Sequence, residues 1–232
     1  ANIIRRISEI KTNNIPKTLF QENPCRNIND PVIIFWLLTT VKSPLSINLN
    51  ELNTLYEKVK NEESFSKKIY NRGLYRYSDR IYVDHEYEMK TISDRRLGSN
   101  AFEKLPKLFY SEKPNDKYNY IQIYGRENGE RKYKWFRRDY LNDAENFDGW
   151  KVIIPKASGS GALGEVLATP LIGTPLIGHT ETFLSIGNFK NELEAESCLK
   201  YVKTKFARAC LGILKITQDN TSEKWAKVLL QE

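Results

Sequence analysis

The dipeptide Asn128-Gly129, between two stretches of alternating side chains, is the sequence feature that most constrains the fold. In residues 118–124, three tyrosines and a glutamine alternate with one asparagine and two isoleucines. Residues 130–138 continue the alternation through aromatic and basic residues. Asn-Gly readily adopts the positive φ angles of a tight turn whose twist matches that of two antiparallel strands. The sequence therefore predicts a β-hairpin here, with further strands over residues 150–154 and 180–186.

A long amphipathic helix is predicted after this strand region. Asn191 followed three residues later by Glu194 is a capping box, which marks a helix N-terminus. Apolar residues then recur at helical spacing: Ala195, Cys198, Leu199, Val202, Phe206, Ala209, Cys210 and Ile213. The same spacing puts Lys200, Thr204 and Arg208 opposite this apolar face, so we expect these three side chains to point away from the core.

Shorter patterns complete the prediction of an α+β fold with a mixed or antiparallel sheet. Residues 3–10 and 49–60 have helical spacing, and residues 32–41 predict a buried strand, with a buried helix as the alternative. We therefore expect an N-terminal helical or linking segment over residues 1–62. The principal domain is expected over residues 63–232, or the two parts form one continuous domain.

The composition favours a globular protein with a basic surface. Thirty-six basic residues against 29 acidic ones give a net charge of +7, which is typical of proteins that bind nucleic acid. Three cysteines cannot form a disulfide framework, so we expect a reducing, cytoplasmic location. The longest apolar run, residues 31–41, is too short to span a bilayer, and no membrane partner is expected.

Residues 159–164 match the Gly-x-Gly-x-x-Gly pattern of dinucleotide-binding loops. Such a loop needs a full helix after it, to hold the pyrophosphate at the helix N-terminus. Pro170 and Pro175 exclude that helix here. We interpret the segment as a loop whose glycines let the backbone approach a ligand closely, or as a simple connection.

The triplet Glu88-Met89-Lys90 matches the Glu-x-Lys of metal-dependent nucleases, with Asp79 or Asp84 as a possible second carboxylate. That chemistry requires the paired carboxylates on adjacent strands, where they can share a metal ion. A metal-dependent nuclease that uses Glu88 and Lys90 is therefore an alternative function.

Basic residues are concentrated in two regions. Between residues 64 and 97 they are interleaved with tyrosines, a pattern suited to a phosphate backbone and stacked bases. A second group lies along the predicted long helix. In both regions the alternative is a solvated face that binds nothing.

Several separated blocks of sequence resemble the C-terminal region of bacterial type II and type IIG restriction-modification enzymes. These blocks are residues 150–161, 180–189, 194–196, 201–208 and 215–219. Enzymes of this family have an adenine-specific DNA methyltransferase core, and the region that follows the core acts as the target recognition domain. The resemblance covers the chain from Lys151 to its end and, more loosely, the hairpin region.

The resemblance implies a DNA-reading module without catalytic residues of its own. The family's glycine-rich loop for S-adenosylmethionine and its Asn-Pro-Pro-Tyr catalytic loop are absent from this sequence. We therefore expect a piece of a larger bacterial enzyme, with no cofactor in this chain, while S-adenosylmethionine and Mg²⁺ are implied for the parent. The expected partners are double-stranded DNA and the methyltransferase domain of the same polypeptide. A docking module that contacts the methyltransferase and not DNA is a further alternative.

In such a module, lysine and arginine would contact phosphates, and polar side chains would read base edges. The residues expected to contact DNA are Lys156, Ser158, Ser160, Lys200, Lys203, Lys205, Arg208, Lys215, Gln218, Arg72 and Arg76.

Overall fold

The computed structural model describes Thr54, Glu57 and residues 60–160 and 165–230. Thr54 and Glu57 are helical, within the helix predicted over residues 49–60. The helix predicted over residues 3–10 and the strand predicted over residues 32–41 lie outside the described residues.

The described part of the chain has an α+β fold, as predicted. The strands are β1 (Ile69–Tyr70), β2 (Tyr120–Glu127), β3 (Glu130–Arg137), β4 (Trp150–Pro155), β5 (Leu171–Gly173), β6 (Ile177–His179) and β7 (Phe183–Phe189). The α-helices are α1 (Asp79–Asp84), α2 (Glu86–Met89), α3 (Ala101–Lys104), α4 (Glu192–Lys203) and α5 (Lys205–Gly212). Short 3₁₀ helices cover Phe65–Lys68, Arg138–Tyr140 and Ser222–Trp225.

The predicted hairpin is confirmed. Strands β2 and β3 pair antiparallel from Tyr120 opposite Arg137 to Glu127 opposite Glu130. Asn128 and Gly129 have φ angles of 50° and 83°, the left-handed conformation that this two-residue turn requires. Strand β6 adds parallel to β2 and completes a three-stranded sheet in the order β3-β2-β6.

A second sheet has four strands in the order β1-β7-β4-β5. The alternating side chains of β4 divide between its two faces. Val152 and Ile154 belong to a core shared with α4, α5 and Trp225. Ile153 packs on the other face with Tyr124 and Phe183, where the two sheets meet. The four-stranded sheet is therefore buried on both faces and separates the helices α4 and α5 from the three-stranded sheet.

The single long helix predicted after Asn191 is instead two helices. The capping box is confirmed, because the Asn191 side chain accepts a hydrogen bond from the Glu194 backbone N–H. Thr204, however, has φ −63° and ψ 153°, which ends α4, and its hydroxyl caps α5 by accepting from Ala207 N at 3.1 Å. A threonine hydroxyl competes well for backbone groups, which makes it a favoured N-cap and a poor helix-interior residue.

The break reverses the predicted orientation of two side chains. Thr204 and Arg208 are 5% and 9% exposed, so they are buried and do not point away from the core.

A second correction concerns β7, which begins at Phe183 and not at Thr180. Residues 180–182 instead connect β6 to β7. Among the described residues, no helix is both long and apolar enough to cross a membrane.

Candidate nucleic-acid interface

The loop after β4 is held against the segment that follows α5. Ser158 N donates to the Gln218 carbonyl at 2.8 Å, and Asn220 N donates to the Lys156 carbonyl at 2.8 Å. The buried Asn220 side chain donates to the Ser158 hydroxyl at 2.9 Å. These bonds bring together Lys156, Ser158 and Gln218, which the sequence analysis placed in the candidate site from separate blocks.

The buried Lys215 side chain contacts the same loop. Its ammonium group is buried and donates to the Ser158 carbonyl at 2.8 Å and to Glu165 Oε1 at 2.5 Å. Glu165 Oε2 accepts from Ser160 N at 2.8 Å. The expectation that Lys215 presents its charge to DNA is therefore corrected, because this charge is neutralised internally and shapes the loop.

Gly159 has a structural role in the same loop. Its φ angle is 72°, and a Cβ atom there would collide with the Glu165 carboxylate. Residues 165–170 are not helical, and β5 begins at Leu171, in agreement with the prediction that no dinucleotide-binding helix follows the glycines.

A cleft of about 250 Å³, which we call the arginine cleft, lies between other segments of the chain. Its lining includes Arg72, Arg96, Lys104, Ser99, Asn100 and Glu181. Glu181 contacts two arginines of this cleft. Its Oε2 accepts a hydrogen bond from Arg72 Nη2 at 3.0 Å, and its Oε1 lies 3.5 Å from Arg96 Nη1. One largely buried carboxylate thus holds two guanidinium groups at the cleft.

The arginine cleft retains a positive charge. Asp94 also pairs with Arg96 and accepts from its Nε at 2.6 Å. The pKa of Asp94 is lowered to about 2, chiefly by hydrogen bonds from Arg96 and to a smaller extent by the charge of nearby Arg76. Arg72, Arg96 and Lys104 line the cleft together with two carboxylates, Asp94 and Glu181, and Arg76 lies close enough to Asp94 to act on its charge. This balance suits an anionic ligand. Two of these arginines, Arg72 and Arg76, were predicted site residues.

The glycine-containing loop and the arginine cleft meet at Thr182. Lys156 N donates to the Thr182 carbonyl at 2.9 Å, and the Thr182 hydroxyl donates to the Ser99 carbonyl at 3.3 Å. Ser99 lines the arginine cleft, so one run of hydrogen bonds links both features. We call these two linked features together the basic rim. It comprises Arg72, Arg96 and Lys104 of the cleft, Arg76 near Asp94, and Lys156 and Gln218 at the loop after β4.

The predicted basic stripe on the long helix is not one exposed surface. Lys203 is exposed, and Lys200 is exposed but pairs with Glu196 at 3.2 Å. Burial, and then the charge of Arg208, lower the pKa of Lys205, and burial lowers that of Arg208. Because α5 restarts at Thr204, the four basic residues do not continue along one helical face.

The Glu-x-Lys triplet does not have the geometry of a nuclease site. Glu88 lies in the short helix α2 and not on a strand, and its carboxylate is 3.7 Å from Lys107 Nζ. Asp84, in α1, accepts from Arg80 Nε at 2.9 Å and from Arg137 Nη1 at 3.3 Å. Within residues 60–160 and 165–230 no cluster of three or more potential metal ligands was found.

A polar cluster buried between the sheets was not anticipated from the sequence. His179 contacts the Thr180 carbonyl through Nδ1 at 3.0 Å and the Ser185 hydroxyl through Nε2. Lys151 Nζ donates to the carbonyls of Ile177 at 3.1 Å and Phe147 at 3.3 Å. These side chains are buried, so a Ser-His pair here is inaccessible to a substrate and instead connects the two sheets.

Arg96, Lys104 and Glu181 were not predicted from the sequence. Arg96 and Lys104 belong to charge-rich segments and give no distinguishing pattern. Glu181 lies 109 residues from Arg72, and the two segments meet because β1 pairs with β7 and because Glu181 N donates to the Leu97 carbonyl. Comparisons with protein-family models, with curated proteins and with solved structures found no match.

Proposed function

We propose that this chain is the DNA-contacting, target recognition portion of a bacterial restriction-modification enzyme with an adenine-specific methyltransferase core. Its ligand is double-stranded DNA, and its second partner is the methyltransferase domain of the same polypeptide, in the bacterial cytoplasm. S-adenosylmethionine and Mg²⁺ belong to the parent enzyme in this proposal. The observation that carries the DNA-binding part is the basic rim, where two separately predicted groups of residues meet at Thr182.

The residues of the basic rim divide between two roles. Arg72, Arg76, Lys104 and Lys156 are placed to neutralise phosphates, which supplies affinity without sequence preference. The exposed Gln218 is held near Lys156 by backbone pairing, and its amide can both donate to and accept from a base edge. Ser158 and Ser160 have hydroxyls already engaged with Asn220 and Glu165, so they support the loop as well as offering acceptors.

Fluorescence anisotropy with a labelled DNA duplex tests this proposal. We expect the chain to bind with a Kd of roughly 10⁻⁴ to 10⁻⁶ M and to lose affinity steeply between about 50 and 200 mM salt. The double variant Lys104→Gln/Lys156→Gln should flatten the slope of log Kd against log salt by about two, since each lost phosphate contact contributes about one.

A matched control variant tests whether the change in salt dependence is specific to the basic rim or follows from the loss of any two surface charges. Lys190→Gln/Lys203→Gln removes the same charge from exposed positions on and beside α4. Lys190 follows the end of β7 that is farthest from Thr182. We expect this control to leave the salt slope nearly unchanged. A larger effect of the control pair would refute the basic rim, and a wild-type chain that binds no duplex at low salt would refute the DNA-binding function.

The nuclease alternative makes a different prediction for the same sample. Cleavage of the duplex that requires Mg²⁺ and is lost in Glu88→Gln would favour it. The helical setting of Glu88 and its ion pair with Lys107 do not support that function.

A further inference from the structure

A second cleft, of about 430 Å³, adjoins the arginine cleft and has a different lining. Tyr87 stands at its edge with 84% of its surface exposed, although Met89, two residues further on in the same helix, is buried. Leu105 and Pro106, just after α3, also line this cleft and add apolar character to it. An aromatic ring this exposed buries little of its surface against the described part of the chain. We call this the Tyr87 cleft.

The charges around the Tyr87 cleft favour an anionic occupant. Lys90, Lys104 and Lys107 line it, and Glu88 is the acidic residue in its lining. The Glu88 carboxylate lies 3.7 Å from Lys107 Nζ, so it offsets one of these three positive charges. The cleft therefore combines an accessible aromatic face with a net positive charge.

The two clefts form one path. Thr91 and Lys104 line both, so Lys104 stands between the Tyr87 ring on one side and Arg72 and Arg96 on the other. A nucleic acid strand that follows the arginine cleft past Lys104 would therefore enter the cleft that Tyr87 lines.

We propose that the Tyr87 cleft binds an unpaired nucleotide, with its base stacked on the Tyr87 ring and its phosphate beside Lys104. Successive stacking on aromatic rings along a basic groove is the general mode by which proteins hold unpaired nucleic acid. A base in a duplex has both faces covered by its neighbours, so the Tyr87 ring selects a base that has left the stack. This inference rests on the proposed function, because the same phosphate path leads to both clefts.

Two duplexes that differ by a single unpaired nucleotide test the inference. One carries 2-aminopurine as an unpaired base, and the other is the same sequence fully paired. We expect the wild-type chain to bind the first about tenfold more tightly, within the range measured for one base-aromatic stack. The 2-aminopurine fluorescence should fall on binding, because stacking on the ring quenches it.

Three variants identify the group responsible. Tyr87→Ala should lose the preference and the quenching, while Tyr87→Phe should keep both, because the ring and not the hydroxyl stacks. Leu193→Ala removes another highly exposed apolar side chain, 74% exposed, from α4 and should behave as wild type. Far-UV circular dichroism confirms that the variants are folded, as expected for exposed positions.

The outcomes separate this inference from the proposed function. Equal affinity of the wild-type chain for both duplexes, or a preference that survives in Tyr87→Ala, would overturn the Tyr87 cleft and leave duplex binding in place. Absence of binding to both duplexes would overturn the proposed function and this inference with it.

Discussion

At the scale of single residues, the position of Glu181 explains why the basic rim can hold several arginines close together. Arg72 and Arg96 would repel each other across the arginine cleft if no anion lay between them. The Glu181 side chain is 10% exposed, and each of its oxygens faces one guanidinium. Oε1 is buried and accepts no hydrogen bond from the described residues, so its attraction to Arg96 is that of an ion pair at 3.5 Å.

His179 makes the free energy of unfolding depend on pH. A carbonyl can only accept, so Nδ1 donates to Thr180 O, and the neutral Nε2 accepts from the Ser185 hydroxyl. Burial lowers the pKa of His179 from 6.5 to about 4. The unfolded chain therefore takes up a proton below pH 6.5, whereas the folded chain does so only near pH 4. Stability contributed by the neutral imidazole is lost as pH falls through this window.

We predict that acidification from pH 7 to 4 destabilises the wild-type chain by about 3 kcal/mol more than His179→Gln. Urea unfolding at a series of pH values measures the difference, and an NMR titration of the His179 ring provides an independent pKa. Equal pH slopes for the two proteins, or a ring that titrates near pH 6.5, would contradict the burial argument.

At the scale of secondary-structure elements, the break at Thr204 determines which charges reach the surface. A continuous helix would have carried Arg208 on the outer face with Lys200. The restart at Thr204 turns α5 so that residues 206–211 are all buried. The basic groups of this region are therefore divided between exposed positions on α4 and half-buried Lys205 and buried Arg208 on α5. We therefore assign the candidate interface to the basic rim.

Thr204→Ala should destabilise the chain by about 1 kcal/mol, because the Ala207 N–H loses its capping acceptor. Thr204→Ser keeps the hydroxyl oxygen, so it should lower the free energy of unfolding by distinctly less than Thr204→Ala does. The midpoint of urea unfolding measures both variants. If alanine were as stable as serine at this position, the hydroxyl would not be what sets the start of α5.

At the scale of the whole molecule, the two large cores are joined through the layer between the sheets. The Phe183 ring lies 4.4 Å from that of Tyr124, centroid to centroid, and the Arg131 guanidinium lies 5.6 Å from the Phe183 ring. Tyr124 belongs to β2 and Phe183 to β7, so this contact connects the three-stranded sheet to the four-stranded one. The basic rim is built on the same connection, since Thr182 immediately precedes Phe183.

We expect the described part of the chain to unfold as one cooperative unit. Phe183→Ala removes a buried ring from the contact between the sheets and should cost about 3–5 kcal/mol. Urea transitions followed by far-UV circular dichroism and by tryptophan fluorescence should coincide in the wild-type chain and shift together in the variant. Two separated transitions in the wild-type chain would show that the two cores are independent.

The sequence by itself determined the elements whose signals are local. The Asn128-Gly129 turn, the Asn191-Glu194 capping box and the apolar residues of α4 and α5 all occur where they were predicted. Each of these depends on backbone preferences or side-chain spacing within a few residues, so neighbouring sequence is sufficient. The local pattern did not reveal that Thr204 would cap a new helix. The apolar residues keep helical spacing on both sides of Thr204, so one continuous helix and two successive helices fit this spacing equally well.

Only the tertiary structure decided which charged residues form a surface. Lys215 and Arg208 looked equivalent to Lys156 in the sequence, yet packing buried the first two and left Lys156 at the edge of the loop. The arginine cleft needed residue 72 to meet residue 181, and the basic rim needed the loop after β4 to meet Thr182. Contacts between segments so far apart depend on how the sheets and loops pack, for which a single sequence carries no local signal.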